Sequence, residues 1–316
     1  MSITSQSNRA FVEAEQYSDF ILTTLHDGLL PMEFYRNVSD FGNGETLHIK
    51  TIGEAQIQEI SEDAPIKYSP IETGEVTLTI TEYIGDGWYV TDKMRQDGAQ
   101  VEALTAQRGA EATRAIQEYF ETQSLAVLVA SQTNADPNNI NGFAHRIASA
   151  ETNDIFDYEH LIQLRLAFDK AEVPVQGRVG IVDPVVEATL NNKSQVVTGD
   201  LNANPTMQGI FENGWAREHK FVTSIFGWDI VTSNRLPKGT FGDGTETVAG
   251  VANIFMCIAD DNCKPLMAAW REMPSVEGGR NKDMKRDEFV QSARFGFGAQ
   301  RLDTLGVVIT SATAYK

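Results

Sequence analysis

Positive charge, cysteine, histidine and long apolar runs are all scarce in this sequence, and each shortage excludes a class of protein. Against 44 acidic residues there are only 26 Lys and Arg, a formal net charge of −18. The basic residues are scattered, and the densest group, MKRDE at 284–288, is diluted by its own acids. Gripping nucleic acid needs clustered cations against phosphate, so a nucleic-acid-binding surface is excluded. Cys257 and Cys263 are the only cysteines, with five residues between them in MCIADDNCK. They lack the second pair or nearby histidines of a zinc site, and are expected as two free thiols in a reducing compartment rather than a disulfide. The five histidines, His26, His48, His145, His160 and His219, never fall four apart or in a His-Glu-x-x-His pattern, so each is expected to be structural or exposed. The longest apolar run, LAVLVA at 125–130, is far short of the ~20 residues that span a bilayer. The first residues, MSITSQSNRAFVEAEQ, lack the apolar core of a secretory signal. A soluble chain made in cytoplasm, with no membrane partner, is the expectation.

What is present is 41% hydrophobic residues in 316, enough for a substantial core. Residues 11–35 read as a short amphipathic helix broken at Gly28 and Pro31. In TLHIKTI, Leu47, Ile49 and Thr51 alternate with His48 and Lys50; in EVTLTITEY, Val76, Leu78 and Ile80 alternate with threonines. Both are half-buried strands by their period of two. From about Asp97 to Ser131, apolar positions at Val101, Leu104, Ala112, Ile116, Tyr119, Phe120, Gln123 and Val127 recur mostly at three to four residues. A helix of this length spans ~50 Å, a spine rather than an ordinary packing element. Beyond 150 the pattern alternates. Asp157 caps DYEHLIQLRLAFDKA, Val179, Ile181 and Val182 form a buried strand, and Asp183-Pro184 opens a helix through VVEATL. TGDLNANPTMQG reads as an exposed loop, FVTSIFGWDIVTSNRLP as one or two strands, and GVANIFMCIA, EFVQSARFGFG and TLGVVIT as strands around a charged stretch, GGRNKDMKRDE.

The connection between the first two strands is the anomaly. GEAQIQEISEDAPIKYSPIETG is far longer than a hairpin loop, yet apolar residues recur through it. A solvated loop would be more polar. Ile57, Ile60, Ile66, Tyr68 and Ile71, with Glu62, Asp63 and Lys67 between them, are therefore the candidate contacts with another subunit.

No catalytic constellation emerges. GRVG at 177–180 has the wrong spacing for a phosphate loop, and the carboxylate of Asp183 occupies the helix N-terminus that would have to hold the anion. RFGFGAQR has only two glycines, GDGTETVAG lacks a calcium ladder, and there is no Gly-x-Ser-x-Gly elbow. The acidic pairs Asp260-Asp261 and Glu62-Asp63 read as solvated loop residues, and the four tryptophans as core or interface anchors. No enzyme, metal or cofactor is expected.

Two phrases, read with the order of elements, carry a resemblance. VPVQGRVGIVDP, after a helix, is similar to the Pro-x-x-Gly-Arg strand of the Hong Kong 97-like major capsid proteins of tailed bacteriophages (Caudoviricetes), and GWDIVTSNRLP resembles their Gly-aromatic segment ending in Ser-Asn-x-hydrophobic-Pro. The resemblance covers nearly the whole chain. It implies an α+β fold: an N-terminal arm (1–40), an extended E-loop hairpin with its flanking strands (41–90), a P-domain with the spine helix (91–149), an α/β A-domain (150–285) and C-terminal P-domain strands (286–316). It implies a major capsid protein that assembles, in the cytoplasm of its bacterial host, as hexamers and pentamers into the icosahedral shell of a virion around double-stranded DNA. The alternative with the same fold is an encapsulin-like compartment shell enclosing cargo enzymes. The implied partners are further copies of the chain, a portal and possibly a decoration protein. Because the first strand begins within fifty residues, a separate scaffolding protein is expected. Some members crosslink through an E-loop lysine; Lys50 and Lys67 lie in or beside this loop, but no acceptor matches and no crosslink is expected.

Overall fold

In the computed structural model the described residues are 34–38, 44–53, 57–59, 68, 70–71, 73–98, 101–132, 139–196 and 221–315, with 191–196 and 221–224 described in backbone only. The helix expected over 11–35, apart from Phe34 and Tyr35, and the loop TGDLNANPTMQG lie outside them.

The alternating segments pair as their patterns require. After a two-residue strand, β1 (Arg36–Asn37), strand β2 (Thr46–Ile52) runs antiparallel to β3 (Thr73–Thr91), with Leu47 opposite Leu78 and Ile52 opposite Thr73. Strand β3 is 19 residues long, well past the expected EVTLTITEY. It continues through Gly85 and Gly87 because a second partner holds its backbone: β13 (Arg286–Ala299) pairs with it from Thr79 to Thr91. Thr91 caps a short helix, α1 (Asp92–Asp97), its hydroxyl accepting from the Met94 N–H at 3.3 Å. Gly98 ends that turn, and the expected spine helix follows as α2 (Val101–Ser131), its start a few residues later than the sequence pattern places it.

Two small pairs follow, β4 (Asn139–Ile140) with β5 (Phe143–Ala144), and β6 (Arg146–Ala148) alongside the C-terminal strand. Helix α3 (Tyr158–Lys170) starts where Asp157 predicts. The Asp157 carboxylate accepts from the Tyr158 N–H at 2.6 Å, while the Asp157 N–H donates to His160 Nδ1 at 3.0 Å. His160 is thus a structural histidine, and burial holds its pKa below the ordinary value. The remaining elements are β7 (Arg178–Val182), α4 (Pro184–Val196), β8 (Phe221–Ile225), β9 (Trp228–Thr232), β10 (Lys238–Gly242), β11 (Thr247–Cys257), β12 (Leu266–Asn281), β13 and β14 (Leu305–Ser311).

Two sheets result. One is five-stranded, in the order β1-β12-β13-β3-β2. The other is seven-stranded, β6-β14-β11-β7-β9-β8, with β10 beside β11. The chain passes from β11 in the second sheet to β12 and β13 in the first, then returns as β14. The division between sheets therefore does not fall at residue 285: β12 pairs with β13, and β14 lies deep in the seven-stranded sheet, with Val307, Val308 and Ile309 fully buried.

Helix α2 joins the two sheets. Ile116 and Phe120 pack on Ala268, Ala293 and Phe295 of the first, and Phe120 stacks on Trp270 at 4.5 Å. One turn later Leu125, Leu128 and Val129 enter the core of the second, beside Ile181, Val251 and Ile309. Because its partner changes, the buried stripe swings around the helix. Leu104 and Tyr119, expected inside, are exposed, and Ser124 and Glu121 are buried instead.

At the far end of the five-stranded sheet, Arg280 grips Asp92 with both terminal nitrogens (2.5 and 2.6 Å) and reaches Asp287 at 2.9 Å, while Arg95 also pairs with Asp287. The Arg280 hydrogen bond holds the carboxyls of Asp92 and Asp287 below their ordinary values. A depressed folded-state pKa contributes stability that is complete above the unfolded value of 3.8 and is lost as pH falls through the lowered one. On acidification, hydrogen exchange in 92–98 and 280–287 is expected to rise. Asp92→Asn should show that faster exchange already at neutral pH and respond less to acid; an unchanged pattern would count against this network.

Candidate inter-subunit surface

The hairpin β2–β3 lies at the edge of the five-stranded sheet, where β2 has no further strand beside it among the described residues. An edge of this kind is a template for pairing with another chain unless it is covered or charged. Its side chains are split in the way the alternation predicts: Leu47 and Ile49 are half-buried toward the core, while Thr46, His48 and Lys50 point outward, with His48 paired to Glu75 across the hairpin.

Past Ile52 the chain leaves the sheet. Of the eight residues expected to meet another subunit, three are described and all are solvent-facing: Ile57 is 100% exposed, Tyr68 94% and Ile71 80%. Ile60, Glu62, Asp63, Ile66 and Lys67 lie outside the described residues. Ile52, at 80%, belongs with the exposed group and was hidden in the sequence because it closes an otherwise regular strand. Isolated exposed apolar residues are common, but four in one connection, Ile52, Ile57, Tyr68 and Ile71, make a candidate contact surface.

A second exposed group lies on the face of the five-stranded sheet away from α2. Tyr83, Tyr89 and Val290 are more than half exposed there. The Arg286 guanidinium lies 4.5 Å over the Tyr89 ring. The sequence carried a signal for this face, since Thr77, Thr79 and Thr81 set the outward register that Tyr83 and Tyr89 continue.

The two phrases noted in the sequence are built into the other sheet, where they hold it together. Gly177 has φ +71°, and a Cβ there would stand 2.8 Å from the Ala259 nitrogen, so this position requires glycine. Its carbonyl accepts from the Ile258 N–H at 2.7 Å. Arg178 is 2% exposed. Its Nε donates to the Pro174 carbonyl at 2.9 Å, and Nη2 donates to Asp169 and to the Val173 carbonyl, both at 2.7 Å. Its guanidinium also lies 5.7 Å over Phe168 and 5.9 Å over Trp228.

The second phrase begins at that same Trp228, which is fully buried, and ends against the spine. The Ser233 N–H donates to the Val182 carbonyl at 3.0 Å, and its hydroxyl donates to buried Glu121 of α2 at 3.1 Å. Arg235 then bridges Glu118 at 3.2 Å and Glu121 at 3.6 Å. These contacts lock the seven-stranded sheet to the helix that also carries the five-stranded one. Asp183 faces inward as a cap: its carboxylate accepts from the Val185 N–H at 3.1 Å, which fills the position a phosphate would need.

A sequence model of the family described as phage capsid protein matches residues 73–310, three quarters of the chain. The chain belongs to this family. Solved capsids show the same fold. The capsid of cyanophage P-SCSP1u superposes with a TM-score of 0.71 at 15% identity, covering 96% of this chain and 94% of that one. The mature capsid of bacteriophage PhiM1 gives 0.68 at 14%, covering 96% and 93%. A structure from Mycobacterium phage Che8 gives 0.65 at 17%, covering 94% and 97%. No curated protein matches in sequence. The fold is thus the α+β capsid fold of the Hong Kong 97-like proteins, and the compartment-shell alternative is not favoured. Among the described residues of this capsid protein, no helix is long and apolar enough to cross a membrane. None of them form a cluster of three or more metal-binding side chains.

Proposed function

We propose that this capsid protein builds the head of a tailed phage, closing as hexamers and pentamers into an icosahedral shell around double-stranded DNA. The observation that carries the reading is the hairpin β2–β3 with its exposed Ile52, Ile57, Tyr68 and Ile71, a surface that gains stability only against a second subunit. In this reading 1–40 is the arm and 41–90 the E-loop. The peripheral unit is the five-stranded sheet with the N-terminal part of α2, so it includes β12. The axial unit is the seven-stranded sheet, so it includes β6 and β14. Lys50 and Lys67 make no covalent crosslink. The role is architectural rather than catalytic, and the partners are further copies, a separate scaffolding protein, a portal and possibly a decoration protein. The acidic chain, at −18, suits a wall that must release its contents, because like charges repel the phosphate backbone.

Expressed with its scaffolding protein and imaged in negative stain, the chain should give closed particles tens of nanometres across. A small monomer or dimer under every condition would overturn the proposal.

A further inference from the structure

We propose that Cys257 and Cys263 form a redox-modification site, two thiols that close into an intrachain disulfide once the chain leaves a reducing compartment. Both cysteines are free. Cys257 is the last residue of β11 and fully buried, its Sγ near the carbonyls of Pro174 and Gln176 at 3.9 and 3.7 Å. Cys263 is only partly buried, and its side chain packs against the same apolar cluster that contains Cys257. The turn between them brings the second thiol back over the strand end. The Asp260 carbonyl accepts from the N–H groups of Cys263 (2.9 Å) and Lys264 (3.2 Å), so the turn folds back and both cysteines border one apolar cluster. Two inert core thiols would both be shielded from solvent; here one of the pair is open to a reagent and the other waits behind it.

The chemistry follows from that asymmetry. The Cys263 thiolate attacks one sulfur of a low-molecular-weight disulfide such as glutathione disulfide, and the first glutathione thiolate leaves. The Cys257 thiolate then attacks Cys263 Sγ, forming the Cys257–Cys263 bond and expelling the second glutathione thiolate. The two thiol protons end on the two glutathiones, so the protein is oxidised by two electrons and glutathione disulfide is reduced by two. Burial pushes the Cys257 thiol up, which makes the second step the slow one. The turn so fastened also holds the start of the described chain. Arg36 on β1 donates to the Asn262 side chain at 3.3 Å, and Gln300 donates to the Asn262 carbonyl at 3.4 Å. The timing rests on the capsid reading: a virion released from its host passes from a reducing cytoplasm to an oxidising exterior.

The test is incubation of the purified, unassembled chain with glutathione disulfide, read by thiol counting, intact mass and peptide mapping. Both thiols should disappear together with the loss of two hydrogens, and a Cys257–Cys263 peptide should be recovered. The oxidised chain should melt a few degrees higher. In Cys257→Ala the reaction should stop at a glutathione adduct on Cys263. A lasting glutathione adduct in the unaltered chain, covalent dimers, or two thiols that react only after unfolding would each overturn the proposal. Particle formation is scored separately by microscopy. A disulfide without shells sinks the capsid reading alone, and shells with persistent free thiols sink the redox site alone.

Discussion

Removal of residues 55–72 is expected to leave a folded subunit that forms no shell. The deletion joins Glu54 to Thr73, leaving Gly53-Glu54 as a two-residue connection between Ile52 and Thr73, which already face each other in the ladder. A two-residue loop with glycine first is a favoured hairpin turn, so β2 and β3 keep their register. What disappears is the apolar projection. Burying one large apolar side chain contributes roughly 1.5–3 kcal/mol, so Ile57, Tyr68 and Ile71 together supply several kcal/mol at each contact. Every subunit repeats that loss, and closure of a shell compounds it. Size-exclusion chromatography and circular dichroism should show an intact, native-like monomer where microscopy shows no particles. The triple change of Ile57, Tyr68 and Ile71 to Asp should behave in the same way without shortening the chain. Normal shells from either variant would remove the E-loop assignment.

Arg178→Met is expected to destabilise the subunit by about 1–3 kcal/mol, the usual cost of leaving a buried acceptor without its donor. The methionine fills the space between Phe168 and Trp228 but cannot donate. The carbonyls of Pro174 and Val173 lose their donors, and Asp169 loses its partner. Asp169 is the lesser problem, since its side chain is 43% exposed and water can replace the guanidinium. The Val173 carbonyl, whose bond to Arg178 is buried, has no such access, whereas the Pro174 bond is only part-buried. Arg178→Lys should recover only part of the loss, because an ammonium cannot place donors on Pro174, Val173 and Asp169 in the fork geometry used here. A lower urea midpoint at unchanged slope would report the effect; a shift equivalent to less than ~1 kcal/mol would show that the side chain is incidental to the Gly-Arg phrase.

Both expectations begin in short stretches of sequence, and they show where such reading succeeds. The alternation of Leu47 and Ile49 with polar residues sets the face of β2. Asp157 and Asp183-Pro184 start helices because their side chains and fixed φ satisfy local backbone groups. The excess of isoleucine in 55–72 is what singles that connection out as the proposed inter-subunit surface. Each of these signals acts within a few residues of itself, and local physical chemistry is enough to read it.

Strands β10 and β12 were invisible for the opposite reason. KGTFG has two glycines and little apolar content, and it is a strand only because β11 pairs with it. In β12 the alternation is broken at Pro274, which lacks a donor, and the sheet accommodates it at a register shift between Glu272 and Ser275. The burial of Glu121 and Arg235 left no trace in composition or period either, since it depends on partners more than a hundred residues away: Arg235 and Ser233 for Glu121, and Glu118 and Glu121 for Arg235. By itself the sequence determined the elements with local patterns and the isoleucine-rich composition of the connection between β2 and β3. Only the tertiary structure decided which strands share a sheet, why the chain returns as β14 to the seven-stranded sheet, and which charges are buried. Those outcomes depend on free energies between distant segments, which have no value until the segments meet.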